Sequence, residues 1–97
     1  MTVETDVVVR DNPDGSRYEV LVDGDVVGEL HYRLRPDRVS LVHTEVQPAF
    51  EGRGLASWLV AGALEDIRAR GLRIVPICPY VGAYLQRHPE YADLMAK

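Results

Sequence analysis

A turn that carries two glycines separates a strand from a long amphipathic helix within residues 41–71. Residues 41–46 are rich in β-branched side chains, which is typical of a strand. From Leu55 to Ile67 apolar residues recur at the spacing of a helix with one buried face, and Gly71 is suited to end that helix. A short apolar strand at residues 73–78 follows. This strand, helix and strand unit predicts an α/β domain with a parallel pair of strands.

The N-terminus of the predicted helix lacks an ordinary cap. Its first N–H groups have no partner within the helix, and a Ser, Thr, Asp or Asn normally accepts hydrogen bonds from them. Here Gly52, Arg53 and Gly54 occupy the preceding positions. Because glycines let a ligand approach the backbone and the helix dipole attracts negative charge, the turn predicts an anion site with phosphate as the natural ligand.

Two well-known phosphate-binding loops do not fit this turn. A nucleoside-triphosphate loop needs a Lys followed by Ser or Thr after its last glycine, whereas Leu55 and Ala56 follow Gly54. A dinucleotide fingerprint needs an acidic residue at the end of the next strand, and residues 72–76 contain none. A chain of 97 residues is also too short for a doubly wound domain.

The remaining elements follow from alternating apolar residues and from turn signals such as Asp23-Gly24. Residues 1–97 are predicted to form one domain with a mixed, mainly antiparallel sheet of about five strands, one long helix and one short helix. Residues 90–97 are predicted to be a loose last turn. The predicted strands span residues 5–10, 17–22, 26–34, 41–46 and 73–78, and the helices span residues 55–71 and 80–87.

Residues 51–56 resemble the acetyl-CoA pyrophosphate turn of the GCN5-related N-acetyltransferases, in which Gln or Arg is followed by two residues, Gly, one residue, and Gly or Ala. Glu51 replaces the usual Gln or Arg. Residues 74–81 and 84–91 resemble the hallmarks of a compact single-domain branch, so the resemblance covers residues 17–94. It implies acetyl-CoA or coenzyme A as cofactor and acetyl transfer to an amine. The implied cofactor site comprises Val46, Gly52, Arg53, Gly54, Leu55, Ala56 and Ser57.

Four residues are candidates for the chemistry that the resemblance implies. Glu45 or His43 would accept the proton of the incoming amine, and strict alternation puts both on the same face of their strand as Leu41. The alternative readings are a solvated carboxylate and a hydrogen-bonded core histidine. Tyr84 would protonate the departing thiolate, or pack between helix and sheet. Cys78 would either accept the acetyl group covalently or merely line the pocket.

The composition of the chain indicates which kinds of binding partner and which cellular compartment to expect. A net charge of −4 argues against a nucleic-acid or anionic-membrane partner, and there is no apolar run long enough to span a membrane. The acidic first residues do not resemble a signal region, and the single cysteine suggests a reducing, cytoplasmic setting. No metal site is expected, because His31, His43 and His88 lie on separate predicted elements without ligand spacing.

The acceptor amine is the least constrained part of the prediction. Only residues 12–16 join the first two strands, where fuller family members carry helices that shape the acceptor site. The acceptor site is therefore predicted to be open or borrowed from a partner, which leaves a protein lysine or amino terminus, a polyamine and any small amine as alternatives. Two other classes stay open: a coenzyme A-binding module without turnover, and a plain interaction domain.

Overall fold

Five strands form one sheet in the order β1-β2-β3-β4-β5, antiparallel except for the parallel pair β4 and β5. The structure, a computed structural model, describes residues 6–96. The predicted mixed sheet with one long and one short helix is confirmed. The strands are β1 Val7–Asn12, β2 Arg17–Val22, β3 Asp25–Leu34, β4 Arg38–Val46 and β5 Arg73–Pro76. The helices are α1 Leu55–Ala69 and α2 Pro79–Arg87, with short 3₁₀ turns at Pro13–Gly15, Pro48–Phe50 and Pro89–Leu94.

Boundaries shift by a few residues from those predicted. The fourth strand begins at Arg38 rather than at Leu41, and the fifth ends at Pro76 rather than at Cys78. The loose last turn is a 3₁₀ helix over Pro89–Leu94. Thr5, where the first strand was predicted to begin, and Lys97 lie outside the described residues.

Left-handed residues end several of these elements. Asp23 and Gly24 have φ of 50° and 88°, as the two-residue turn between β2 and β3 requires. Gly71 has φ of 70° and ends α1, and the next N–H, of Leu72, donates to the carbonyl of Ile67 at 3.2 Å.

Within residues 6–96, no helix is long and apolar enough to cross a membrane.

The core lies between α1 and one face of the sheet. The helix contacts all five strands, and its buried residues follow the predicted helical spacing. Its buried side chains are Leu55, Leu59, Val60, Ala63, Leu64 and Ile67. The fully buried sheet residues in the same cluster include Val20, Leu30, Leu41 and Ile74.

A β-bulge in β4 changes which side chains face α1. Tyr32 pairs with Leu41 but the preceding His31 pairs with His43, so Val42 is an extra residue without a partner. Beyond this residue the alternation is reversed.

The predicted orientation of the two candidate bases is therefore wrong. Leu41 is fully buried beneath α1, whereas His43 and Glu45 lie on the opposite face of the sheet and are exposed. Thr44 and Val46 take the α1 side instead. Strict alternation failed because it assumes an unbroken strand.

Pairing between β4 and β5 stops early. The register runs only from Arg38 opposite Arg73 to Leu41 opposite Pro76. The N–H groups of Ile77 and Cys78 then both donate to the Leu41 carbonyl, at 3.0 and 2.8 Å. Beyond Leu41 the described backbones of the two strands diverge and leave a gap.

Gly28 should be intolerant of a side chain. A Cβ there would lie 2.8 Å from Val20 Cγ1 and 3.0 Å from the backbone oxygen of Glu45, and that oxygen cannot move without shifting β4. Gly28→Ala is expected to lower the free energy of unfolding by about 1–3 kcal/mol. At Gly82 in α2 a Cβ meets no atom within 4 Å, so Gly82→Ala should be neutral or stabilising by up to about 1 kcal/mol. Urea unfolding of both variants measures this, and equal stabilities would contradict it.

Candidate cofactor and active site

The N-terminus of α1 is uncapped by side chains. Gly54 is the N-cap residue with φ of 74°, Gly52 has φ of 79°, and no side chain within residues 6–96 caps the helix. The first intrahelical bond runs from the N–H of Trp58 to the Gly54 carbonyl at 3.1 Å. The N–H groups of the first three helical residues, 55–57, therefore need a partner from outside the helix.

A cavity of about 380 Å³ opens at this helix end, here called the turn cavity. It lies where β4 and β5 have diverged, so it extends from the glycine turn towards the end of the sheet. Its lining residues are Thr44, Val46, Phe50, Glu51, Gly52, Gly54, Leu55, Ala56 and Tyr80. Five of the seven predicted cofactor residues thus line a single cavity.

The other two predicted cofactor residues lie at its margins. Arg53 is exposed, and its guanidinium lies 5.1 Å from the centroid of the Phe50 ring. The Ser57 hydroxyl is hydrogen-bonded to the Tyr80 hydroxyl at 2.9 Å. Arg53 therefore lies beside the turn against the ring of Phe50, and Ser57 is hydrogen-bonded to the first turn of α2.

A second cavity of about 510 Å³, the hairpin cavity, adjoins the first. It is lined by residues 26–29 and 44–48 and by Glu51. The two cavities share Thr44, Val46 and Glu51, so a ligand in one can touch a ligand in the other across the end of β4. Glu51, the residue that departs from the family pattern, stands at this border.

The two candidate bases occupy different positions relative to the hairpin cavity. Glu45 lines it, whereas His43 does not. The imidazole Nε2 of His43 lies 3.3 Å from Oε1 of Glu45, and both side chains are more than half exposed. Glu45 is therefore the better placed acceptor for a proton from a ligand in this cavity.

The N–H of Val46 points towards the gap between the strands. The neighbouring N–H, of Gln47, donates to the carbonyl of Val27 in β3 at 2.8 Å, and Glu45 pairs with Glu29 in the same strand. Because backbone N–H groups alternate along a strand, that of Val46 faces away from β3 and towards the side where β5 has diverged. It is available to a ligand in the turn cavity.

Cys78 is the N-cap residue of α2 and is only 5% exposed. Its sulfur lies 3.3 Å from the Thr44 hydroxyl. Burial alone would raise the pKa of the thiol, but hydrogen bonds from the Thr44 hydroxyl and from the N–H groups of Val81, Tyr80 and Thr44 outweigh burial and hold the pKa below its usual value. The N-terminus of α2 thus lowers the pKa of the thiol, as an adjacent cation does in other proteins.

Tyr84 does not line the turn cavity. It is 5% exposed, its ring stacks on His88 with centroids 4.0 Å apart, and it borders a separate shallow groove along α1 with Val7 and Trp58. Burial, and then the nearby Glu90, raise the pKa of its phenol, which makes it a poorer proton donor.

Sequence reasoning missed Thr44, Phe50 and Tyr80 among the residues of the turn cavity. Tyr80 was placed in the short helix but given no role, although Pro79 at the first helical position fixes it in the first turn beside the cavity. Thr44 was missed because only the bulge at Val42 turns it towards Cys78. Nothing in the residue types marks that bulge.

Comparison with known proteins identifies the family. The family model described as "GCN5-related N-acetyl-transferase" matches residues 17–94. The chain belongs to this family.

Protein NATD1 from Homo sapiens is 37% identical over 51 residues, covering 53% of this chain and 45% of that protein. The Xenopus tropicalis protein of the same name is similar at 37% over 51 residues, covering 47% of its length. The chain spans about half the length of the curated relatives it matches.

Solved structures share the fold at low sequence identity. A GCN5-like putative N-acetyltransferase from Staphylococcus aureus superposes with a TM-score of 0.69 and 19% identity, over 92% of this chain and 87% of the other. The ribosomal-protein-S18-alanine N-acetyltransferase of Escherichia coli gives a TM-score of 0.59 and 16% identity, over 73% and 48%. The aminoglycoside N-acetyltransferase AAC(6')-Iy, solved with CoA, gives 0.52 and 21%, over 84% and 59%.

Negative charge at Gly54 should prevent an anion from binding at the uncapped helix. Asn and Asp tolerate the left-handed conformation of this residue similarly, so Gly54→Asn controls for backbone strain and bulk. Gly54→Asp is expected to bind coenzyme A at least about tenfold more weakly than Gly54→Asn, because like charges in contact repel by more than the 1.4 kcal/mol of a tenfold change. Isothermal titration with coenzyme A measures both, and equal dissociation constants would remove the anion site from this turn.

Proposed function

We propose that this chain is an acetyl-CoA-dependent N-acetyltransferase. The observation that carries the proposal is the meeting of the turn cavity and the hairpin cavity at Thr44, Val46 and Glu51. The first cavity offers an uncapped helix N-terminus to a phosphate, and the second offers carboxylates to an amine. Two structural neighbours are N-acetyltransferases by name, and one was solved with CoA.

The cofactor would lie in the turn cavity. Its pyrophosphate would accept hydrogen bonds from the N–H groups of residues 55–57, with Arg53 beside the turn as a counter-charge. Its pantetheine arm would enter the gap that opens between β4 and β5 beyond Leu41. There the N–H of Val46 would donate to the thioester carbonyl and stabilise the oxyanion that forms on it.

The acceptor would arrive as an ammonium ion through the hairpin cavity. Its described lining residues include Glu29, Glu45 and Glu51 but no Lys or Arg, so the cavity suits a positively charged group. A polyamine, a lysine side chain or a protein amino terminus fits this description. This acceptor class, like a reducing cytoplasmic setting, remains a prediction.

The reaction itself would be a direct transfer. Glu45 takes a proton from the ammonium ion, directly or through water, and the free nitrogen attacks the thioester carbon. Bound acetyl-CoA would supply the thioester, whose carbon–sulfur bond would break as the acetyl group passes to the nitrogen, and that nitrogen would release its second proton to solvent. Tyr80, which lines the turn cavity and whose hydroxyl is 2.9 Å from that of Ser57, would donate a proton to the departing thiolate and regain one from solvent.

A second candidate function is coenzyme A binding without turnover. Glu51 favours it, because a carboxylate at the border of the turn cavity repels the phosphates that the family's Gln or Arg would attract. Binding of coenzyme A, seen as a raised melting temperature, with no acetyl transfer to any amine would support this function over the first.

Replacing Tyr80 should impair turnover far more than replacing Tyr84. Thiol release from acetyl-CoA would be followed with spermidine, a lysine-containing peptide and a peptide with a free amino terminus as acceptors. Tyr80→Phe is expected to lower kcat by about 10²-fold, the usual contribution of a general acid, while Tyr84→Phe changes kcat little.

The pair of Tyr variants also decides between the two phenols. Loss of kcat in Tyr84→Phe alone would restore the assignment predicted from the sequence. Absence of thiol release with every acceptor, together with no melting shift on adding coenzyme A, would overturn the transferase proposal and leave an interaction domain.

Cys78 should not carry the acetyl group, because a sulfur that is 5% exposed behind Thr44 cannot readily reach the thioester carbon. Intact-mass analysis after incubation with acetyl-CoA and acid quenching is expected to show no acetyl adduct. Cys78→Ser should keep at least about a tenth of the wild-type kcat, well above the loss expected for a nucleophile. An acetyl adduct that disappears in Cys78→Ser would establish the covalent route instead.

A further inference from the structure

Two histidines and two glutamates form a compact group on the sheet face away from α1. In the β3–β4 register His31 lies directly opposite His43, and Glu29 lies directly opposite Glu45. His31 and His43 lie on separate elements, as predicted, but strand pairing brings the two imidazoles together. The four residues are here called the hairpin quartet.

Ligand atoms of three members of the quartet are close to one another, and the fourth member, His43, contacts Glu45. Atoms of Glu29, His31 and Glu45 all lie within 4.8 Å of one another. Nε2 of His31 is 2.9 Å from Oε2 of Glu29, and Nε2 of His43 is 3.3 Å from Oε1 of Glu45. The imidazole centroids are 6.3 Å apart. Each imidazole nitrogen thus already points towards a carboxylate.

Charge on this face gives an independent reason to expect a cation. Glu19, Glu29 and Glu45 are paired in register across three adjacent strands, and like charges directly opposite each other destabilise a sheet. Glu19 is compensated by hydrogen bonds from the side chains of Arg10, Asn12 and Arg17.

Glu29 and Glu45 are less well compensated than Glu19. Glu29 has His31 at 2.9 Å and Arg17 at 3.8 Å, and among residues 6–96 the ion-pair partner of Glu45 is His43 at 3.3 Å, so neither has an arginine as close as the two that contact Glu19. A positive ion between Glu29 and Glu45 would relieve their repulsion.

We propose that Glu29, His31, His43 and Glu45 bind one divalent transition-metal ion of the Zn²⁺ type. Two imidazoles and two carboxylates are a donor set that Zn²⁺ accepts in tetrahedral geometry, and two imidazoles disfavour Mg²⁺ and Ca²⁺. Ligand atoms in such a site are about 3.3 Å apart, which follows from metal–ligand distances of about 2.0–2.1 Å.

The quartet can reach that geometry without disturbing the core. All four side chains are at least 32% exposed, so their rotamers can change freely. The site shares Glu29 and Glu45 with the hairpin cavity, so an ion bound to Glu45 and proton acceptance by Glu45 would exclude each other.

The proposal is tested by isothermal titration of the full, tag-free chain with ZnCl₂. One ion per chain is expected, together with a rise in melting temperature, since the ligands of a metal bound across β3 and β4 are brought together only in the folded state. His31→Gln and His43→Gln should each weaken binding by about tenfold or more, and the double variant should abolish it. Circular dichroism would verify that the variants fold.

Two controls separate the quartet from other metal ligands. His88 also pairs with a glutamate, its Nδ1 lying 3.5 Å from Oε2 of Glu90, so His88→Gln should leave Zn²⁺ binding unchanged. Cys78→Ser should likewise leave it unchanged. Co²⁺ bound to the wild type should show visible bands without thiolate charge transfer. No binding up to about 1 mM, binding that survives in a folded double variant, or binding lost in Cys78→Ser would overturn the proposal.

Discussion

The carbonyl of Leu41 accepts hydrogen bonds from the N–H groups of both Ile77 and Cys78. The rest of the site depends on these two hydrogen bonds. In the described chain these are the last backbone hydrogen bonds between β4 and the segment that follows β5. Because the chain turns away there, the gap remains open, and within residues 6–96 the N–H of Val46 has no backbone partner on that side. The same turn brings Pro79 to the start of α2, which places Tyr80 at the turn cavity and Cys78 beside Thr44.

The bulge at Val42 complements this divergence. It directs Thr44 and Val46 into the gap, and it directs His43 and Glu45 to the opposite face of the sheet. One extra residue therefore separates side chains that would face coenzyme A from those that would face an amine. In a strand without the bulge, His43 and Glu45 would lie on the α1 side and Thr44 and Val46 on the opposite side. Neither cavity would then have its present lining.

The two cavities differ in electrostatic character although they share three residues. The turn cavity holds a helix N-terminus, which favours an anion, whereas the hairpin cavity holds three carboxylates, which favour a cation. A thioester cofactor with phosphates and an ammonium acceptor would each be attracted to a different side of Val46. Glu51 belongs to both cavities and is the residue at which these preferences conflict.

The sequence by itself determined the elements, their order and the uncapped glycine turn, because helix periodicity, turn residues and glycine positions are local properties. It also predicted correctly that Leu55, Leu59 and Ile67 share the buried face of α1. Tertiary structure alone decided the orientation of Glu45, the position of Tyr84, the lowered pKa of Cys78 and the meeting of His31 with His43. Each of these depends on strand register, on a bulge or on where two strands separate, and such features arise from pairing between distant segments that no local pattern encodes.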